Sequence, residues 1–340
     1  MKTRQVASVV IAVIGLWCIA SIEAGEGQAP RSTVARSAGA GGAAATGTWA
    51  PPRAPDGHPD LQGYWTNGTY TPLERPADFA GKEFFTEAEA AAYAKLRLDD
   101  LLDQPADNIH YDDAIWQSEK KDKALAGLRT SLIVEPKDGK IPPMTAEGQK
   151  RAAARAAARK LVGPADSYET RTLGERCITW GHEGPPMLPA GYFPNLQIVQ
   201  GPGHLVVMQE ITHNARVIPT DGRPRIPSAM RQIGGDSRGR WEGDTLVVET
   251  TNFTERTQFR GSSAALKVSE RFTLVDADTI RYEFAVEDPT TWATPWRAEI
   301  PMRRTNDLIY EYACHEGNYG LPNILRAQRV MDAAAAAAKR

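Results

Sequence analysis

The chain has 340 residues, of which 41% are hydrophobic and 24% charged, with a formal net charge of −2. That length and composition allow one large or two smaller globular domains with a sizeable core. The near balance of acidic and basic residues argues against electrostatic binding to phosphate backbones or anionic lipid, so neither nucleic acid nor a membrane surface is an expected partner.

The first residues, MKTRQVASVVIAVIGLWCIASIEAG, set two basic residues before an apolar run from Val9 to Ala20 and small residues ending at Ala24. This is the layout of a secretory signal peptide. The run falls short of the roughly 20 residues that span a bilayer. Residues 1–24 are therefore expected to be cleaved, leaving a periplasmic or secreted protein without membrane attachment. Cleavage takes Lys2, Arg4 and Glu23 and moves the net charge from −2 to −3. Cys177 and Cys314 then remain, and an oxidising compartment favours their pairing as a disulfide.

Residues 25–57 are rich in Gly, Ala, Ser and Pro with little to bury, and read as a flexible leader. Residues 58–194 read as an extended and helical part packed on a barrel. Within it, DLQGYWTNGTYTPLERP places Leu61, Trp65, Tyr70 and Leu73 among prolines and glycines, as in an extended segment lying across another surface. Thr86 and Glu89 make a capping box ahead of EAEAAAYAKLRLDDLLD, a run of strong helix formers. RTSLIVEPKDGKIPPM predicts a short strand ended by a turn. TAEGQKRAAARAAARKL predicts a second helix, whose Arg151, Arg155 and Arg159 read as a solvated face.

From 195 to 325 the texture changes to alternation and turns. NLQIVQGPGHLVVMQEITHNARVIPTDGRP gives three short runs. GRWEGDTLVVETTNF predicts a hairpin turning at Glu242, Gly243 and Asp244, and LKVSERFTLVDADTIRYEFAVED another turning at Asp276, Ala277 and Asp278. WRAEIPMRRTNDLIYEYAC predicts a last pair. Successive hairpins of this kind make an antiparallel meander of about eight to ten strands, which removes its exposed edges by closing into a barrel. The expected class is thus mainly β, a meander closing into a lipocalin-like barrel with N-terminal helices packed outside, and a helical tail over 326–340.

Two resemblances accompany this reading. Gly63, Tyr64 and Trp65 in LQGYW resemble the Gly-X-Trp signature on the first strand of lipocalin-type barrels, although here roughly 130 residues with two helices precede the next strands. RTSLIVEP, MRQIGGDSRGRWEGDTLVVETTNF, VEDPTTWATPW and YEYACHEGNYG resemble a family of exported bacterial proteins of unknown function, over residues 50 to 330. The resemblance implies a secreted bacterial protein and carries over no reaction, cofactor or catalytic residue.

Four stretches carry candidate chemistry. A Cys177–Cys314 bridge would hold its alpha carbons about 4.4 to 6.8 Å apart, bringing His315 and Glu316 near Cys177 and within a short loop of His182 and Glu183. Such a cluster suits a divalent metal, with His182 and His315 as ligands, or proton transfer, or a structural role beside the disulfide. In MQEITHNARVIPTDGRP, His213 falls at a strand connection on a barrel rim, with Glu210 and Arg216 as ligand-binding candidates. IGGDSRGRWEGD reads as a turn into a hairpin, since Ser237 lacks the Gly-X-Ser-X-Gly context of a nucleophile. VEDPTTWATPWRAE offers Asp288 as a polar group, and Trp292 and Trp296 either as walls of a pocket or as lids on the barrel.

The chain lacks G-x-G-x-x-G, a P-loop and CxxC, so no organic cofactor is expected. The leading expectation is an exported barrel that binds a small apolar or aromatic organic molecule. Its chemistry would be cofactor-independent proton transfer of the hydratase, isomerase, lyase or cyclase type, with His213, His315, Glu316 and Asp288 as catalytic candidates. A metal-dependent hydrolase or lyase and a non-enzymatic carrier are the alternatives. Ligand identity and oligomeric state are not legible.

Overall fold

A computed structural model describes residues 49–102, 125–257 and 259–338. The expected signal segment and the leader up to residue 48 lie outside them. Ten strands occur among the described residues: β1 (Gly63–Thr66), β2 (Ile133–Glu135), β3 (Asn195–Gly201), β4 (His204–Gln209), β5 (Ala215–Pro219), β6 (Asp236–Glu242), β7 (Thr245–Thr251), β8 (Lys267–Asp276), β9 (Thr279–Glu287) and β10 (Trp296–Arg304). Nine pair in the order β5-β4-β3-β1-β10-β9-β8-β7-β6, and β2 adds to β10. Every ladder is antiparallel, and the sheet curls into a nearly closed barrel. The expected class, mainly β with a lipocalin-like barrel and helices outside, is the one found.

Alternation makes the barrel. Val268, Phe272 and Leu274 of β8, Ile280, Phe284 and Val286 of β9, and Trp296, Ala298, Ile300 and Met302 of β10 are buried, with partly exposed residues between them. Each large side chain so buried contributes about 1.5–3 kcal/mol. Period two then fixes the register, because a slip of one residue would turn every one of them to solvent. The tight turns fall where the sequence places them, between Glu242 and Thr245 and between Asp276 and Thr279.

β1 lies between β3 and β10, so a strand from the N-terminal part is built into the barrel wall. Trp65 is fully buried, its indole N–H donating to the Leu61 carbonyl at 3.0 Å, and the Arg304 guanidinium lies 4.2 Å above its ring. Gly63 adopts φ +131°, and a Cβ there would stand 2.5 Å from Arg304 Nη1. That φ favours glycine, and a side chain there would also have to displace the guanidinium.

Three α-helices complete the described structure: α1 (Glu87–Leu102), α2 (Ala146–Lys160) and α3 (Gly320–Ala337). The capping box opens α1: Thr86 N–H donates to Glu89 Oε2 at 2.8 Å and Glu89 N–H to Thr86 Oγ1 at 3.3 Å. Thr145 caps α2 by accepting from Gly148 N–H. The arginine stripe of α2 departs from expectation. Only Arg159 is exposed. Arg151 donates to the Thr290 carbonyl and to Thr291 Oγ1, and Arg155 to the carbonyls of Gly261 and Ser262 at 3.2 Å. Arg151 and Arg155 mark the face that docks the helix, and Gly148 allows the approach, since a Cβ there would meet the Thr291 carbonyl oxygen at 2.7 Å.

Three further boundaries shift. The leader joins the fold from Trp49 onward, with Ala54 buried and Arg53 paired to Asp244 at 2.7 Å. Among the described residues no strand follows β10, whose edges are taken by β9 on one side and by β1 and β2 on the other. α3 begins at Gly320, six residues before the expected tail.

Strands β5 and β6 end the strand order and share no ladder. Along part of this seam they pack directly, because a Cβ on Gly239 would lie 2.9 Å from Thr220 Cγ2 and 3.1 Å from Ile218 Cγ2. Elsewhere the chain after β5 bridges it. Arg238 donates to the Pro224 carbonyl, Ile226 N–H to Asp236 Oδ2, and Arg225 to the Asp236 and Glu249 carbonyls.

Candidate functional site

A cavity of about 1220 Å³ opens at this seam. Its walls come from β4, β5 and β6, from residues 178–189, and from the loops near 223–226, 232–235 and 257–260. That volume exceeds the usual range of small-molecule pockets, roughly 300–1,000 Å³.

One wall carries a buried ion pair inside the barrel. Arg216 Nη1 and Nη2 donate to Glu270 Oε2 and Oε1 at 2.9 and 3.0 Å, and Tyr282 Oη donates to Glu270 Oε1 at 2.8 Å. Met187 N–H in turn donates to Tyr282 Oη at 2.9 Å, tying the 178–189 segment to the barrel interior. Glu270 is completely buried, whereas Arg216 is 16% exposed and lines the cavity. Burial, reinforced by the Glu270 charge, pushes the Tyr282 phenol well above its ordinary value, so it stays protonated as a donor. Burial opposes the charge on Arg216, but Glu270 outweighs it and raises the guanidinium further. Sequence reasoning named Arg216 and missed Glu270 and Tyr282. The signal was present: Glu270 sits at the inward parity of Val268, Phe272 and Leu274, and Tyr282 at that of Ile280 and Phe284.

The 178–189 segment forms a second wall. Glu183 is buried and its carboxylate accepts from Trp180 N–H (2.8 Å), Thr179 Oγ1 (3.1 Å), Thr212 Oγ1 (2.6 Å) and Asn214 Nδ2 (2.9 Å). Thr212 holds φ 55°, a conformation that a β-branched residue adopts at a cost. Its bond to Glu183 fixes that backbone just before β5. His182 and Trp180 line the cavity, their ring centroids 6.1 Å apart. Trp180 Nε1 and His182 Nε2 are buried without a hydrogen-bond partner among the described residues, which is uncommon for such groups. Burial lowers the pKa of His182, against the pull of the Glu183 charge, so the imidazole is neutral at pH 7.

The Cys177–Cys314 disulfide forms, with a Cα–Cα distance of 5.7 Å. It ties the chain leading into the 178–189 segment to the chain before α3. The two His-Glu-Gly stretches nevertheless part: His182 and Glu183 line the cavity, whereas His315 and Glu316 are exposed and lie outside its lining. The turn around Cys314 points them to solvent. Among the described residues no group of three or more His, Cys, Asp or Glu side chains is placed to hold a metal ion.

The remaining candidates lie elsewhere. His213 ends the 3-10 turn Ile211–His213 between β4 and β5, at the expected connection, and its side chain falls outside what is described. Glu210 is buried and accepts from Tyr310 N–H at 3.2 Å. Asp288 is buried at the base of a loop. It accepts from Ser263 N–H and Thr291 Oγ1 at 2.7 Å and from Thr290 Oγ1 at 2.8 Å. Burial works to raise its pKa, but these donors prevail and lower it. Trp292 and Trp296 fill the core edge-to-face, centroids 6.1 Å apart, and do not line the cavity. Inward parity and contact with Phe284 claim Trp296 for packing.

The fold and the cavity define an antiparallel barrel compatible with ligand binding, braced by a disulfide. No protein-family model matches the chain, and no curated protein matches it. Among the described residues no helix is long and apolar enough to cross a membrane.

Proposed function

We propose that this chain is an exported barrel protein that binds a small organic molecule with an apolar or aromatic body in the seam cavity. The observation that carries the reading is the cavity itself. It opens where the barrel ladder is interrupted, one wall presents the Arg216 guanidinium from inside the barrel, and another presents the rings of Trp180 and His182. Mixed apolar walls with a few placed polar groups are the ordinary build of a ligand site. Export is supported by the signal-like N-terminus and by the disulfide, which suits an oxidising compartment.

The test uses N-phenyl-1-naphthylamine, a neutral probe whose fluorescence rises in apolar surroundings. Gly234 lines the cavity, and a Cβ added there meets nothing within 4 Å, so a side chain can start from that wall, and Gly234→Trp is the blocking variant. Saturable one-to-one binding to the wild type, lost in Gly234→Trp, is the expected result. Binding unchanged by the tryptophan would sink the assignment.

Proton-transfer chemistry on the bound molecule is a second reading, favoured by one observation. His182, neutral through burial, lines the cavity beside Glu183, so it is placed to accept a proton. A carrier would instead release its ligand unchanged, as product analysis by mass spectrometry would show.

A further inference from the structure

We infer that the ligand is an acid: an aryl or alkyl carboxylate whose oxygens are taken by the free edge of Arg216, with Arg260 at the cavity wall as a second cation. This rests on the cavity being the binding site. The argument is an inventory of donors and acceptors. Among the described residues two carboxylates line the cavity, Glu183 and Asp236, and both are engaged. Glu183 accepts four hydrogen bonds, and Asp236 accepts from Ile226 N–H and from Arg238. Neither offers the wall a carboxylate that a cationic ligand would need.

The cations stand differently. Arg216 gives one N–H from each terminal nitrogen to Glu270, and its remaining N–H groups make no hydrogen bond among the described residues. A guanidinium holds five donors in a planar fork, so one carboxylate occupies a single edge and leaves another for a second. Glu270 closes the inner edge, and the exposed part of Arg216 faces the cavity. Arg260 lines the same cavity, is exposed, and has no acidic partner among the described residues. Its backbone is left-handed at φ 50°, a conformation that an arginine adopts at a cost. Arg223 and Arg238, the other two arginines of the lining, are already paired with Asp221 and Asp236. Among the described residues the site therefore has spare cationic donors and no spare carboxylate.

The experiment measures displacement of N-phenyl-1-naphthylamine from the full exported chain by naphthalene-2-carboxylate and by 2-naphthylmethanol, which share a ring system and differ in charge. The carboxylate should bind at least about tenfold tighter at low ionic strength, the lower end of what a charge-assisted pair supplies. That preference should shrink in about 0.5 M NaCl. Arg260→Gln, an exposed change, should weaken the carboxylate about threefold or more and leave the alcohol unchanged. Arg216→Lys keeps a cation beside Glu270 while removing the fork, and should abolish most of the preference. Equal affinity of the two probes, or a carboxylate affinity untouched by both variants, would overturn the acid assignment while leaving the cavity as the site. Failure of both naphthalene compounds to displace the dye would overturn both.

Discussion

Breaking the Arg216–Glu270 pair from one side should cost more than breaking it from the other. Losing one partner of a buried pair typically costs about 3–5 kcal/mol, because the survivor is left as an uncompensated charge. Glu270 is completely buried, so Arg216→Met leaves it with Tyr282 as its one remaining donor among the described residues. We expect a loss near the middle of that range, about 4 kcal/mol. Glu270→Gln instead leaves Arg216, which reaches the cavity and is solvated there, while the new amide oxygen still accepts from Tyr282. That variant should lose about 2 kcal/mol. The double variant Arg216→Met/Glu270→Gln removes both charges and should fall short of the summed cost by about 2–3 kcal/mol. Urea unfolding of the four proteins, with the dependence on denaturant unchanged, supplies the cycle. Additive single costs would refute the pairing. A Glu270→Gln loss equal to or larger than that of Arg216→Met would refute the claim that the pair has a wet side and a dry side.

The disulfide closes a loop of 137 residues, for which the chain-entropy relation gives about 5 kcal/mol; replacing both cysteines by serine should lower the unfolding free energy by that order, and a loss under about 1 kcal/mol would remove the bridge as a brace. His182 makes stability depend on pH in a defined direction. Its folded pKa lies below the ordinary 6.5, so the unfolded chain takes up the proton first. Its contribution is complete above about 6.5 and is lost as pH falls from there toward the lowered folded pKa. His182→Phe should flatten that part of the stability profile, and an unchanged profile would place the sensitivity on another group.

Local features were legible because their causes are local. Glu242, Gly243 and Asp244 turn the chain between two alternating runs, and Thr86 with Glu89 caps a helix through residues three apart. What required the structure was long-range pairing. Arg216 meets Glu270 across 54 residues of sequence, and Glu183 meets Asn214 across 31. A carboxylate at an inward strand position signals a buried charge, but nothing in the sequence identifies its partner. Trp292 and Trp296 show the opposite difficulty. Paired tryptophans serve equally as core or as pocket wall, and their burial, their contact with each other and that of Trp296 with Phe284 are seen only in the structure. The periodicity of the α2 arginines fits any helix face, and it holds as a solvated one only for Arg159; the carbonyls of Gly261, Ser262 and Thr290 reveal which surface Arg151 and Arg155 meet.

The seam explains why a buried charge pair is compatible with this barrel. A sheet edge left unpaired invites association with other chains, and full closure between β5 and β6 would remove that hazard. Closure would also seal Arg216 and Glu270 in an apolar interior, where a neutral pair of similar volume is often as stable or more so. Here closure stops partway. Gly239 brings the strands into contact over one stretch, and beyond it Arg225 and Arg238 bridge the gap through backbone carbonyls. The edges are thus covered without a continuous ladder, and the interior pair keeps one face open to the cavity. An ion pair with no access would be a cost without return; with access, its unused donors are the feature that distinguishes this barrel from a packed core.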